Sequence, residues 1–175
     1  MNPFPPVHGS AVFSDCNRYR YVLRRSWDPT RQTVLFVGLN PSTADAKRND
    51  PTIRRCIRFA HDWGFGSLIM ANLFAYRATQ PGILPRADDP IGPKNNSWLS
   101  RLQKQADIVI AAWGIHGTLR ARNLEVLPRF PIIHCLGKTK SGHPRHPLYL
   151  PATVTPKPYY YDARPFYPST TLRLC

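Results

Sequence analysis

Apolar residues fall in short runs along the chain, separated by turn-forming clusters and by stretches with helical spacing. Residues 18–26 are rich in strand formers and partly alternate, and residues 27–30 (Trp-Asp-Pro-Thr) form a turn. Thr33 to Val37 is a compact apolar run that breaks at Gly38-Leu39-Asn40-Pro41, so 18–26 and 33–37 predict an entry hairpin leading to the first core strand. Asp50-Pro51 pairs an N-cap residue with proline at the first helical position. Ile53, Ile57, Ala60 and His61 follow at helical spacing, with the helix ending near Gly64. Residues 67–73 predict a second buried strand, and residues 78–93, with four prolines, a loop. Residues 95–105 predict a helix burying Trp98, Leu99 and Leu102. Residues 107–113 are a third strand, 118–127 a helix ended by Pro128, and 131–136 a fourth strand.

Strands therefore alternate with helices, and each strand is an apolar run without clear polar alternation, as in a parallel sheet covered on both faces. The expected fold is α/β: three layers (α/β/α) around a central, mostly parallel four-stranded sheet, plus the N-terminal hairpin. Residues 1–150 form one domain, and residues 151–175 a Pro/Tyr-rich tail that wraps the domain or is partly mobile. In such sheets ligands bind beyond the carboxyl ends of the strands. The chemically suggestive segments 38–45, 72–77, 113–118 and 137–149 each follow a strand.

Charge narrows the partner. Twenty-four Lys+Arg against ten Asp+Glu give the 175-residue chain a formal charge of +14, and Glu125 is its one glutamate. That balance attracts polyanions, DNA or RNA first among them. An anionic membrane surface fits less well, because no basic amphipathic helix with a long apolar face stands out. Cys16, Cys56, Cys135 and Cys175 form no CxxC pair, which favours reduced, mostly buried thiols over a zinc ribbon or a disulfide scaffold. With neither a signal-peptide pattern nor an apolar run of spanning length, a cytoplasmic protein is expected.

The candidate chemistry lies in the loops. Asn40, following Gly38 and Leu39 and stiffened by Pro41, can hold a water by its side-chain amide. Asn72 ends an apolar strand, where an amide that both donates and accepts can read the edge of a base. Phe36, Phe74 and Tyr76 are candidate stacking faces. In the 142–149 loop, His143 and His146 can donate to a developing negative charge, and Arg145 can hold a phosphate. Ser42, Lys138 and Lys140 are further candidate contacts to nucleic acid. The two histidines lack further ligands at convincing spacing, so no metal is expected, nor any cofactor. Walker A, GxGxxG, HExxH and GxSxG motifs are all missing. Asp45 and Asp50 flank Lys47-Arg48 as a conceivable carboxylate pair, although Asp50 is as readily explained as a helix cap.

The succession of Gly38-Leu39-Asn40-Pro41-Ser42, the 68–74 strand, the Ala-Ala-Trp-Gly strand end at 111–114 and His146-Pro147-Leu148-Tyr149 resembles the uracil-DNA glycosylase superfamily. Its members carry a Gly-x-(Asp, Asn or another residue)-Pro loop after the first core strand, an Asn or similar residue on the second, often Trp-Gly after the third, and a His-Pro-x-x loop after the fourth. The chain also resembles a family of bacterial and phage proteins described as a domain of unknown function (DUF1643), in which NPSTAD and HPLY phrasing recurs. The glycosylase resemblance, over about residues 33 to 150, implies a glycosylase-like fold and a monofunctional enzyme that hydrolyses the N-glycosidic bond of uracil or a modified pyrimidine in DNA. It implies that Asn40 orients the hydrolytic water and Asn72 reads the flipped base. His146 then supports the leaving base or pinches the strand, Arg145 contacts phosphate, and Phe36 or Phe74 stacks. Here Ser42-Thr43-Ala44-Asp45 replaces the Tyr-His or Gly of the best-known branches, and no Ser follows His146-Pro147, which leaves the base open. Two other classes remain: a non-catalytic nucleic-acid-binding module on the same fold, and a nucleotide or nucleoside hydrolase. A monomer is expected, since wedging into a duplex needs one exposed basic face.

Overall fold

A computed structural model of the chain describes residues 7–160. Seven strands form one sheet: β1 (His8–Phe13), β2 (Arg20–Ser26), β3 (Thr33–Gly38), β4 (Ser67–Asn72), β5 (Ile108–Ala111), β6 (His134–Cys135) and β7 (Lys157–Pro158). Their order is β1-β2-β4-β3-β5-β6-β7. The four strands expected for the core, β4, β3, β5 and β6, are mutually parallel. Antiparallel strands β1 and β2 extend one edge, and β7 the other.

Alternation along the central strands divides the core in two. Val34 and Phe36 of β3, Leu68 and Met70 of β4, and Ile110 of β5 face α1 (Pro51–Asp62) through Ile53, Ile57 and Ala60. Leu35, Val37, Ile69, Ala71, Val109 and Ala111 face the opposite way. They pack with Leu99 and Leu102 of α2 (Asn95–Gln103) and Val126 of α3 (Arg122–Val126). Helix α1 starts where the dipeptide at 50–51 predicts, with Asp50 Oδ1 accepting from the Ile53 amide at 2.8 Å. Cys56 and Cys135 are buried thiols and Cys16 an exposed one.

Three expectations change. The hairpin joins β1 to β2; residues 18–26 do not pair with 33–37, because β4 lies between them. β3 is apolar on both faces and takes a parallel neighbour on each edge, so it belongs at the centre. β2 carries Arg20, Arg24 and Arg25 and stays towards the rim. The fourth core strand shrinks to His134–Cys135, with Ile132 largely exposed after Pro131. The helix expected over 118–127 splits into a 3₁₀ segment (Ile115–Ala121) and the short α3. The break comes at Arg120 and Ala121, which adopt φ of 52° and 53°.

The tail wraps the domain as far as residue 160. Val154 accepts from the Trp63 indole at 3.1 Å, β7 closes the sheet edge, and Tyr159 packs edge-to-face on Trp113. The remainder, 161–175, lies outside the described residues. Among the described residues no helix is long and apolar enough to cross a membrane.

Candidate functional site

The carboxyl ends of β3, β4 and β5 open onto a cavity of about 540 Å³, walled also by the start of β2, the first turn of α1 and the 137–149 loop. Gly38 and Asn72 are register partners on adjacent parallel strands, which sets the Asn40 loop directly beside Asn72. A Cβ on Gly38 would stand 2.8 Å from Asn72 Oδ1, so only glycine leaves that amide its place. Beyond β5 the chain turns through Trp113 and Gly114, whose φ of 71° suits glycine. The Gly114 amide donates to the Pro144 carbonyl at 3.0 Å and so ties this turn to the histidine loop. Gly117 packs so closely against the Trp113 side chain that an added Cβ would overlap its Cδ1.

Asn40 is half-buried, and its Nδ2 donates to the Ala78 carbonyl at 2.8 Å and the Pro41 carbonyl at 3.1 Å. Two carbonyl acceptors fix the amide's orientation and leave Oδ1 as an acceptor with no protein donor among the described residues. Asn72 is 3% exposed, and its Nδ2 has no partner among the described residues. An unspent buried donor costs about 1–3 kcal/mol until something accepts from it.

His146 Nδ1 accepts from the Leu148 amide at 3.4 Å, which puts the neutral ring's proton on Nε2. Burial lowers its pKa below the usual histidine value, and nearby Asp50 only partly opposes this. The ring is therefore a neutral donor at physiological pH. Tyr149 lies against it, centroids 5.7 Å apart, and is itself mostly exposed at the mouth.

Of the residues singled out from the sequence, Gly38, Leu39, Asn40, Ser42 and Asn72 line the cavity, joined from the histidine loop by Arg145 and His146. Arg145 is exposed, with Nη2 donating to the Tyr149 carbonyl at 3.1 Å. Pro41 is buried behind the loop, where its carbonyl accepts from the Ala78 amide. Phe36 and Phe74 are fully buried away from the cavity, Phe36 stacked on Trp63. The aromatic surfaces that do reach it are Trp113 and Tyr149. His143 is buried, its backbone amide and carbonyl closing a turn with Thr139. Lys138 leans on the Tyr159 ring and donates to the Tyr160 carbonyl, while Lys140 is exposed on the loop.

Two charged residues also stand on the wall: Arg20, which the sequence did not single out, and Asp50, which it offered either as half of a carboxylate pair or as a helix cap. Arg20, 2% exposed, donates from Nη1 to the Ala44 carbonyl at 2.7 Å and has no partner at Nε among the described residues. Desolvation lowers its pKa to about 10, partly offset by Asp50, so it stays charged at neutral pH. Asp50, 8% exposed, is the helix cap described above, and it also lines the cavity. Their signal was available only in part: an arginine among strand formers, and a cap residue just past the Asn-Pro loop. Among the described residues no three His, Cys, Asp or Glu side chains converge on a common point.

Over residues 20–148 the sequence matches the family described as "Protein of unknown function (DUF1643)". The matched span holds every cavity-lining residue except Tyr149. No curated protein and no solved structure matches the chain.

Proposed function

The chain belongs to the DUF1643 family, and we propose that its cavity is the active site of a monofunctional DNA glycosylase on a uracil-DNA glycosylase-like fold. The observation that carries this reading is the pairing of two amides with opposite free ends. Asn40 has a side-chain oxygen with no protein donor among the described residues, and Asn72, across the strand boundary, has a buried NH₂ with no partner among them. The first can hold a water in line with a sugar; the second can donate to a base carbonyl, while both ends of an amide together read a pyrimidine edge.

In this reading a flipped uracil or modified pyrimidine enters beside Trp113, with Tyr149 at the mouth. His146 Nε2–H donates to the base oxygen on which negative charge collects as the C1′–N bond lengthens. A donor placed at a developing oxyanion contributes about 10²–10³-fold in rate. Arg145, Lys140 and Ser42 contact the phosphate backbone, and the protein acts as a monomer in the cytoplasm.

The test is an end-labelled oligonucleotide assay with alkali to break abasic sites. The panel holds uracil, hypoxanthine and hydroxymethylated or glucosylated pyrimidines, single-stranded and duplexed. Alkali-labile cleavage at one base is expected, reduced about 10²-fold or more in Asn40→Ala. DNA binding without cleavage would replace the enzyme with a binding module. Turnover of free nucleosides alone would make it a nucleoside hydrolase, and neither binding nor turnover would sink the nucleic-acid reading.

A further inference from the structure

We propose that Asp50 is a catalytic residue of this cavity: its carboxylate stabilises positive charge developing on the sugar and takes a proton from the attacking water. The inference rests on the glycosylase reading and supplies what Asn40 lacks. An amide oxygen can orient water but cannot accept its proton at neutral pH. Among the described residues lining the cavity, Asp50 is the single carboxylate.

Capping does not account for it. The cap uses Oδ1 alone, leaving Oδ2 without a protein donor among the described residues, and Asn or Ser would cap α1 about as well. Burying a carboxylate costs free energy unless it is paired. Yet no cation lies within 4.0 Å of Asp50 among the described residues, although the buried Arg20 guanidinium lines the same cavity with Nε unspent. A buried anion kept out of ion-pair contact, on a wall shared with Asn40 and His146, is placed for a transient positive partner. A sugar approaching an oxocarbenium ion is such a partner.

The step balances. The C1′–N bond breaks with both electrons leaving on the base, and the water oxygen bonds to C1′. One water proton passes to Asp50, which then gives it up through solvent as the anionic base is protonated. The products are an abasic sugar and the neutral base.

The experiment uses the full chain and two abasic-site oligonucleotides, one with a cationic pyrrolidine in place of the sugar and one with neutral tetrahydrofuran. Wild type is expected to bind the pyrrolidine DNA about tenfold or more tightly than the tetrahydrofuran DNA. Asp50→Asn, which keeps the cap, is expected to bring the ratio near one; Asp50→Ser, another capping residue, serves the same purpose should the first variant fold poorly. An unchanged ratio in a folded variant, or no preference in wild type, overturns the proposal. Excision is followed in parallel and is expected to fall about 10²-fold or more in Asp50→Asn. Excision at the wild-type rate in that variant overturns the role of Asp50 and leaves the glycosylase standing. An Asp50-dependent cation preference without excision of any panel base sinks the base assignment and supports Asp50.

Discussion

His146 takes part in the site as an uncharged ring, and that has a consequence for stability. Its pKa is lowered in the folded chain, chiefly by burial, so the unfolded chain takes up the proton first as the pH falls. The stabilising contribution of the neutral ring is complete above the ordinary histidine value of about 6.5 and is lost progressively as pH drops below it towards the lowered folded value. Urea unfolding midpoints of wild type should thus decline between pH 7.5 and pH 5.5 more steeply than those of His146→Gln. Parallel profiles would show that the ring titrates as it does in the unfolded chain. Arg122 illustrates a different use of a buried charge. It is fully buried, with Nε donating to the Leu73 carbonyl, Nη2 to Asn96 and Nη1 paired with Glu125 at 2.7 Å. It fastens α3 and α2 to Leu73, the residue that follows Asn72 at the end of β4, so part of the basic composition is spent on architecture.

The end of β3 is where a single atom decides whether the site exists. Gly38→Ala would press a methyl against Asn72 Oδ1, costing about 1–3 kcal/mol in stability and turning the amide away. A melting curve lowered by a few degrees, with base binding weakened well beyond what unfolding explains, is the expected result. A variant that melts lower yet binds normally would separate Asn72 from recognition. At this scale the sequence was legible wherever local chemistry and tertiary packing agree. The Asp50-Pro51 start of α1 and the apolar runs of β3, β4 and β5 are such places. It was illegible where tertiary contacts override propensity. Residues 118–127 carry a helical pattern, but Gly117 packs closely against Trp113 and Arg122 reaches Leu73, and the chain between them bends through two positive-φ residues. The aromatics misled for a related reason. Phe36 stands short of the strand end with its side chain in the α1-facing core, so nearness in sequence to Asn40 did not bring it to the cavity.

Across the whole molecule, net charge and usable charge differ. Arg20, Arg25, Arg55 and Arg122 all donate to backbone carbonyls inside the protein. They add to the positive field of the molecule, but they cannot each neutralise a phosphate. On the proposed DNA-binding reading, affinity should therefore fall with salt along a slope reporting far fewer contacts than the charge of +14 allows. Arg145→Ala and Lys140→Ala should each reduce that slope by about one. Unchanged slopes in both variants would move the interface elsewhere on the surface. The edge strand β7 has a bearing on synthesis. Trp113, a wall of the cavity, is backed by Tyr159, and the cavity also draws on Arg20 near the other end of the described chain. A nascent chain emerging from the ribosome can assemble most of the sheet, but it cannot seat this tryptophan until residues 157–159 have followed. Parallel strands with distant partners already fold late. Competence of the site is in this way tied to the synthesis of residues 157–159, and a chain stopped short of them lacks the backing of this wall.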